Sequence, residues 1–415
     1  MNLRLVSALG MVVLVAGAWL FSSRRDRFPW RTVLWGLGLQ FIVGLLILRT
    51  EPGQALFHGF QSAVDRFIGF ANEGNALVFG PLARPEPMAR AFGPGNGVLL
   101  AITITGTIIL ISAVSSLLYH YGVLQRVVQV LAWAMQRVMG TSGSETLASA
   151  ANIFMGQTEA PLVIRPYLDR MTRSELFCLM TSGFATIAGG VLAVYTGVLK
   201  IPAGHLLTAS VMSAPAALML AKILHPETEV SETAAGATRP IERTTQNGLD
   251  AICVGTSDGL KLALNVAAIL IAFTALVALA NAILAYLASH IGWNTSRPLQ
   301  EVLGYLNAPF ALLMGVPPRD AVAIGQILGE RVILNEFFGY LSLTAAQERL
   351  DPRSYTLATY ALCGFANLGS VAIQIGGISA LAPSRRTDLA QLGLKAMVAG
   401  ILACYLTTCV AGIIT

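Results

Sequence analysis

Charge is scarce in this chain. Only 12% of its 415 residues are Asp, Glu, Lys or Arg, about half the share of an ordinary soluble domain. That excludes a water-soluble protein built on one core. Histidine is nearly as rare. An intramembrane enzyme requires a nucleophile paired with a base, or a metal set, and the five histidines, His58, His120, His205, His225 and His290, have no metal-like partner spacing, so that reading finds little support. The five cysteines, Cys178, Cys253, Cys363, Cys404 and Cys409, lie in apolar segments without metal-ligand spacing. They read as small hydrophobes, with no disulfide and no metal cluster expected. A dense Arg or Lys cluster for phosphate is also missing. The net charge of +5 is therefore no nucleic-acid signal; the basic residues sit in short loops and mark topology.

What is present is apolar sequence. Hydrophobic residues make up 55% of the chain and mean hydropathy is +0.66. The fold class is an all-α polytopic membrane protein. Eight spans are expected: 3–21, 32–48, 98–118, 174–199, 203–224, one within 251–288, 355–381 and 389–414. Arg24, Arg25, Arg27 and Arg31 put the first loop in the cytoplasm, so the N-terminus lies outside; Arg385 and Arg386 mark a later cytoplasmic loop, and the C-terminus ends outside. Residues 51–94 carry Leu56, Phe60, Val64 and Phe67 at helical spacing and read as an amphipathic interfacial helix. Leu124, Val127, Val128, Leu131, Met135 and Val138 form a second stripe. Residues 225–246 read as an exposed polar loop, and 298–316, with Pro309 inside, as a short tilted or interfacial helix.

The organising stretch is 152–168. Gly156 and Pro161 break any continuous helix, and the arms 147–155 and 160–168 are too short to cross a bilayer, which takes about 20 residues. Two half-helices meeting at a polar tip describe a re-entrant hairpin. Glu159 and Gln157 sit at that tip, and a carboxylate at membrane depth costs roughly 2.5–3.5 kcal/mol, so it marks a site. Residues 320–343 repeat the theme, with Gly325-Gln326 and Gly329-Glu330 as interruptions and Asn335-Glu336 in the second arm. Gly183-Phe-Ala-Thr-Ile follows the first hairpin and Gly364-Phe-Ala-Asn-Leu the second. The unit of hairpin, broken helix and helix thus occurs twice, and the loop charges give the two copies opposite orientation. An inverted repeat is the mark of secondary transporters, with the two tips enclosing a site near the midplane. The domains follow: 1–143 scaffold and interfacial helices, 144–224 first repeat, 225–317 polar loop and scaffold helix, 318–415 second repeat. Gln157, Thr158, Glu159, Thr186, Asn335, Glu336, Asn367 and Ser370 converge there. Amides and carboxylates with aromatic and aliphatic walls suit a neutral polar solute bearing a ring, a nucleoside or sugar.

At these residues the chain resembles the concentrative nucleoside transporter family. The resemblance runs from about Ser144 to the C-terminus and rests on three ordered motifs: Gly156-Gln-Thr-Glu-Ala-Pro-Leu-Val-Ile-Arg-Pro, Asn335-Glu-Phe and Cys363-Gly-Phe-Ala-Asn-Leu. It implies eight spanning helices, two re-entrant hairpins, an interfacial helix and a homotrimer in the cell inner membrane. It implies nucleobase contacts at Gln157, Thr158 and Glu159, with Gly156 lining the turn and Val191, Phe365 and, more weakly, Leu262 as apolar walls. It implies that Glu336, with Asn367 and Ser370, holds the ribose hydroxyls. A sodium ion, co-transported, is implied at Asn152, Met155, Thr186 and Ile187, the second and last through backbone carbonyls. Thr186 stands where a Ser is common in the family and keeps the hydroxyl. The expected function is sodium-driven import of uridine-like nucleosides by elevator-like movement of the repeats, with the bilayer as surroundings and no nucleic-acid partner. Proton coupling through Glu159 or Glu336 is the alternative.

Overall fold

The computed structural model describes residues 2–93, 99–236, 245–290 and 292–415. Pro94 and Val98, the ends of two expected segments, and residues 237–244 of the polar loop lie outside the described residues. The chain opens with α1 (Leu3–Leu20) and α2 (Trp30–Arg49), then α3 (Glu51–Phe79), α4 (Pro85–Phe92), α5 (Leu100–His120) and α6 (Val123–Met139). The first repeat holds α7 (Gly143–Asn152) and α8 (Ala160–Val163) as hairpin arms, the broken pair α9 (Arg173–Ala185) and α10 (Gly189–Leu199), and α11 (Ala203–Leu224). Between the repeats lie α12 (Gly248–Ser289) and α13 (Pro298–Leu313). The second repeat holds hairpin arms α14 (Ala321–Ile333) and α15 (Glu336–Ala345), the broken pair α16 (Pro352–Ala361) and α17 (Leu368–Leu381), and α18 (Arg386–Ile414).

Seven described segments are long and apolar enough to cross a membrane, counting α9 and α10 as one. The broken pair α16–α17 supplies the eighth crossing that the sequence suggests. Burial divides these helices sharply. The most apolar window of α11 is 89% buried, whereas that of α12 is 6% buried. A helix apolar on all sides is either wrapped by protein or facing lipid or another subunit, and the two repeats take the wrapped positions.

The N-terminal helices lie against the repeats, α1 along α18 and α2 along α11. Small residues make the approach possible: a side chain at Gly36 would run into Met219 Cβ at 2.9 Å. Polar ties reinforce it. Ser7 Oγ donates to Met314 O (2.8 Å) and accepts from Arg353 (3.2 Å), Arg49 Nε donates to Ile414 O (3.0 Å), and Ser23 N donates to Leu224 O (2.9 Å).

Four expectations need correction. Gly325 and Gly329 do not interrupt the second hairpin; α14 runs unbroken past them. They and Gly304 thin the face where α14 meets α13: a side chain at Gly304 would reach Gln326 Cγ at 2.6 Å. The break comes at Leu334–Asn335 instead. Val127 is exposed rather than part of the packed stripe, whose buried members are Val128, Ala132, Met135 and Met139. Cys253 is exposed, because α12 has few neighbours. The polar loop is not wholly exposed: Thr233 is buried, folded back onto the base of the first hairpin.

Candidate functional site

Each hairpin is anchored at its base before it reaches the site. Ser142 and Glu145 close a capping box on α7, and Thr172 and Glu175 close one on α9. Glu175 then gathers Ser142, Ser144 and Ser231 hydroxyls at 2.5, 3.0 and 2.6 Å. Lys222 of α11 reaches Glu145 at 2.7 Å, with both side chains buried. The second hairpin has a lighter version: Asp320 accepts from Ser354 Oγ (2.6 Å) and from Asp351 N (2.9 Å), at the start of α16.

At the first tip the chain leaves α7 after Asn152 and re-enters helix at Ala160, where Pro161 stands in the first turn and sacrifices no hydrogen bond. Gln157 is buried there. Its Nε2 donates to Ser370 Oγ (3.1 Å), and its Oε1 accepts from Gln374 Nε2 (3.0 Å). Gly183 is small for this reason, since a side chain would meet Gln374 Nε2 at 2.7 Å and Gln157 Cβ at 3.1 Å. Thr158 and Glu159 are exposed. Glu159 folds back so that Oε2 accepts from Gly156 N (3.2 Å).

At the second tip Glu336 is buried in the first turn of α15. Tyr195 donates its hydroxyl to Oε1 (2.7 Å) and Asn367 donates Nδ2 to Oε2 (3.0 Å). Asn367 also caps α17, its Oδ1 accepting from Ser370 N at 2.8 Å. One side chain therefore ends a helix break and holds the carboxylate. Asn335 does not join the cluster; its Oδ1 caps α15 by accepting from Phe338 N (3.2 Å). Val191, Phe365 and Leu262 are all partly buried against the core, Leu262 from α12 outside the repeats.

The two breaks of the first repeat lie side by side. Ser149 of α7 and Ser182 of α9 touch hydroxyl to hydroxyl at 2.5 Å. One turn further on each helix stand Asn152 and Thr186, and Gly189 N donates to Phe154 O (3.0 Å) just beyond. Asn152 Nδ2 is satisfied by Ala148 O (3.0 Å), but its Oδ1 is buried with no hydrogen-bond partner. Thr186 donates to Ser182 O (2.9 Å), which leaves its oxygen lone pairs free to accept. Met155 and Ile187 are buried beside them. An orphaned amide oxygen, a hydroxyl and unwound backbone are hard oxygen donors of the kind that take a small cation, and the orphan would otherwise cost about 1–3 kcal/mol.

Sequence reasoning missed Tyr195 and Gln374. Each lies one helical turn after a residue it did select, Tyr195 after Val191 and Gln374 after Ser370, so each shares its face. A polar side chain repeating at that spacing in an apolar helix was the available signal.

Three family models match the chain in succession. They describe the N-terminus of a Na+ dependent nucleoside transporter over residues 9–82, nucleoside recognition over 101–202, and the C-terminus of a Na+ dependent nucleoside transporter over 205–412. Among similar proteins, the uncharacterized transporter YutK of Bacillus subtilis is 42% identical over 97% of this chain and 98% of its own. Sodium/nucleoside cotransporter 1 of Rattus norvegicus is 39% identical over 99% of this chain and 64% of its own, so the chain spans somewhat under two thirds of that relative. The structure of CNTnw in an inward-facing substrate-bound state superposes with a TM-score of 0.94 at 38% identity, covering 100% of this chain and 98% of that one. A substituted form of CNTnw in an outward-facing state gives 0.93 at the same identity and coverage.

Proposed function

Because this chain belongs to the concentrative, Na+-dependent nucleoside transporter family, we propose that it imports nucleosides of the uridine type, driven by sodium, across the cell inner membrane. The observation that carries the reading is the pairing of two unlike half-sites, joined where the buried Gln157 of one tip donates to Ser370 and Asn367 donates to Glu336 of the other. Gln157, Thr158 and Glu159 offer donors and acceptors to a base, with Val191, Phe365 and Leu262 as walls. Glu336, preset by Tyr195 and Asn367, accepts from two vicinal hydroxyls, which a carboxylate with two oxygens does well. Sodium takes Asn152 and Thr186 side-chain oxygens and the Met155 and Ile187 carbonyls; the unpartnered Asn152 Oδ1 supports this.

The solute travels inside the repeats. The hydrogen bonds that tie α1 to Met314 and to Arg353 of α16, α2 to Ile414 of α18, and the loop between them to Leu224 of α11 favour counting those two helices with the moving body, so that α5 and α12 make the stationary wall. Gly255 and Gly259 support a fixed seam there, since side chains on them would press on Ala113 Cα (2.7 Å) and Ile109 Cα (2.8 Å). The exposed apolar side chains of α12, such as Leu264, Ile271 and Leu276, suit burial between copies in a homotrimer. One sodium falling through 100 mV releases roughly 2.3 kcal/mol, and a tenfold gradient adds about 1.4 kcal/mol. One ion per solute therefore concentrates a neutral nucleoside on the order of several hundred-fold.

Labelled uridine uptake into proteoliposomes tests this. Uptake should rise with an imposed inward sodium gradient. Uptake that follows a proton gradient instead would replace sodium by protons, and uptake indifferent to both would end the coupled reading.

A further inference from the structure

Among the described residues Arg331 is the largest side chain buried below 2% exposure, with none of its surface open. Its Nη1 donates to Ala361 O (2.7 Å) and its Nη2 to the Cys404 thiol (3.2 Å), while Nε has no partner. Among the described residues no carboxylate lies within ion-pair distance of it. Burying a cation this way costs several kcal/mol, far more than apolar packing at the same place.

The position of Arg331 in the repeat explains the outlay. Asn152 stands near the end of the first hairpin arm, four residues before Gly156; Arg331 stands near the end of the second hairpin's first arm, four residues before Asn335. Asn152 faces the break after α9. Arg331 faces the break after α16, and Ala361 is the last residue of that half-helix. The carbonyl end of a helix favours positive charge. The two breaks also touch: Phe365 N donates to Thr186 O (3.2 Å), and the Cys404 thiol approaches Ala185 O (3.6 Å) and Cys363 O (3.4 Å). Each repeat thus has a hairpin, a broken helix and a place for a cation between them.

We propose that Arg331 is a tethered cation filling, in the second repeat, the place that the first repeat leaves for a mobile ion, and that it thereby fixes the count at one ion per nucleoside. This rests on the sodium reading of the first repeat. Removing the guanidinium should open a second ion site lined by the Ala361 and Cys363 carbonyls.

The test uses the full-length protein, with sodium chloride titrated against choline chloride at constant ionic strength. Thermal stability of the wild type should follow a one-site sodium curve. Arg331→Ala should show a steeper curve with a Hill coefficient near two, and radiolabelled sodium taken up per uridine should rise twofold in proteoliposomes. Arg331→Lys should behave as wild type. If Arg331→Ala fails to fold, Arg331→Gln carries the same comparison. A one-site curve and an unchanged ratio in the neutral variants would overturn the proposal. A wild type whose stability ignores sodium would instead overturn the sodium reading, and is told apart by failing before any variant is made.

Discussion

In the first repeat the second hairpin arm is α8, four residues long, followed by a 3-10 turn over Arg165–Arg170; in the second repeat it is the ten-residue α15. The short arm leaves Thr158 and Glu159 on an exposed tip, with Glu159 restrained by a backbone N–H of its own loop. The long arm places Glu336 in a helical first turn, where the helix dipole favours a negative charge, and Tyr195 of α10 and Asn367 at the start of α17 donate to it. One tip keeps its exposed side chains free to move, and the other has its carboxylate fixed by neighbours on other helices. The bases differ in the opposite sense. The first rests on the buried Lys222–Glu145 pair. The second carries Arg319–Asp351, whose Arg319 side chain is 66% exposed. Evidently the repeat that yields at its tip is held hardest at its foot.

Substituting the two tip carboxylates breaks the comparison most severely. Glu336→Ala should reduce uridine uptake at least a hundredfold, since two hydrogen bonds to a charged group are worth about 1.5–3 kcal/mol each. Glu159→Ala should also cut uridine uptake sharply, but in the uptake that remains only the Glu336 variant should lose discrimination against deoxynucleosides in competition assays. Equal discrimination in both variants would remove the division of labour.

The bases come next. Lys222→Met strands Glu145 and should lower stability by about 3–5 kcal/mol, read as a large fall in melting temperature. Arg319→Ala should cost at most about 1 kcal/mol. Similar losses at both sites would mean the feet are equivalent.

The ion place gives a moderate effect. Asn152→Ala with Thr186→Ala should raise the sodium concentration for half-maximal uptake about tenfold, equivalent to roughly 1.4 kcal/mol, with little change in uridine affinity at saturating sodium. An unchanged sodium requirement would put the ion elsewhere.

The smallest effect concerns His225, just past the end of α11. Burial holds its pKa below the ordinary 6.5, helped by the nearby positive charges of Arg173 and Lys222. A depressed folded value means that the neutral form stabilises the fold. That contribution is present above pH 6.5 and is lost as pH falls through the folded value. Melting temperature should drop slightly on acidification, and His225→Gln should flatten the drop.

Much of this was legible in the sequence, for a local reason. Gly156, Pro161 and Asn367 announce breaks because a Gly, a Pro or a capping side chain acts within a few residues. Gly325 and Gly329 misled because glycine serves close helix contact as well as breaks, and only the presence of α13 decides between them. Tyr195 and Gln374 gave only the faint signal of helical spacing, and Arg331 gave none, because their partners lie on other elements. Lys222 and Glu145 likewise lie far apart in sequence, and only the folding of α11 against α7 brings them together.

That pairing also bears on how the protein is made. Glu145 emerges from the ribosome with the first hairpin, whereas Lys222 follows only at the end of α11. At about 5–20 residues per second, Glu145 waits several seconds with no counter-charge. During synthesis the first hairpin must therefore remain where water or headgroups can solvate it. Its final seating is timed by the completion of α11, so the order of translation is written into which residue holds the hairpin's foot.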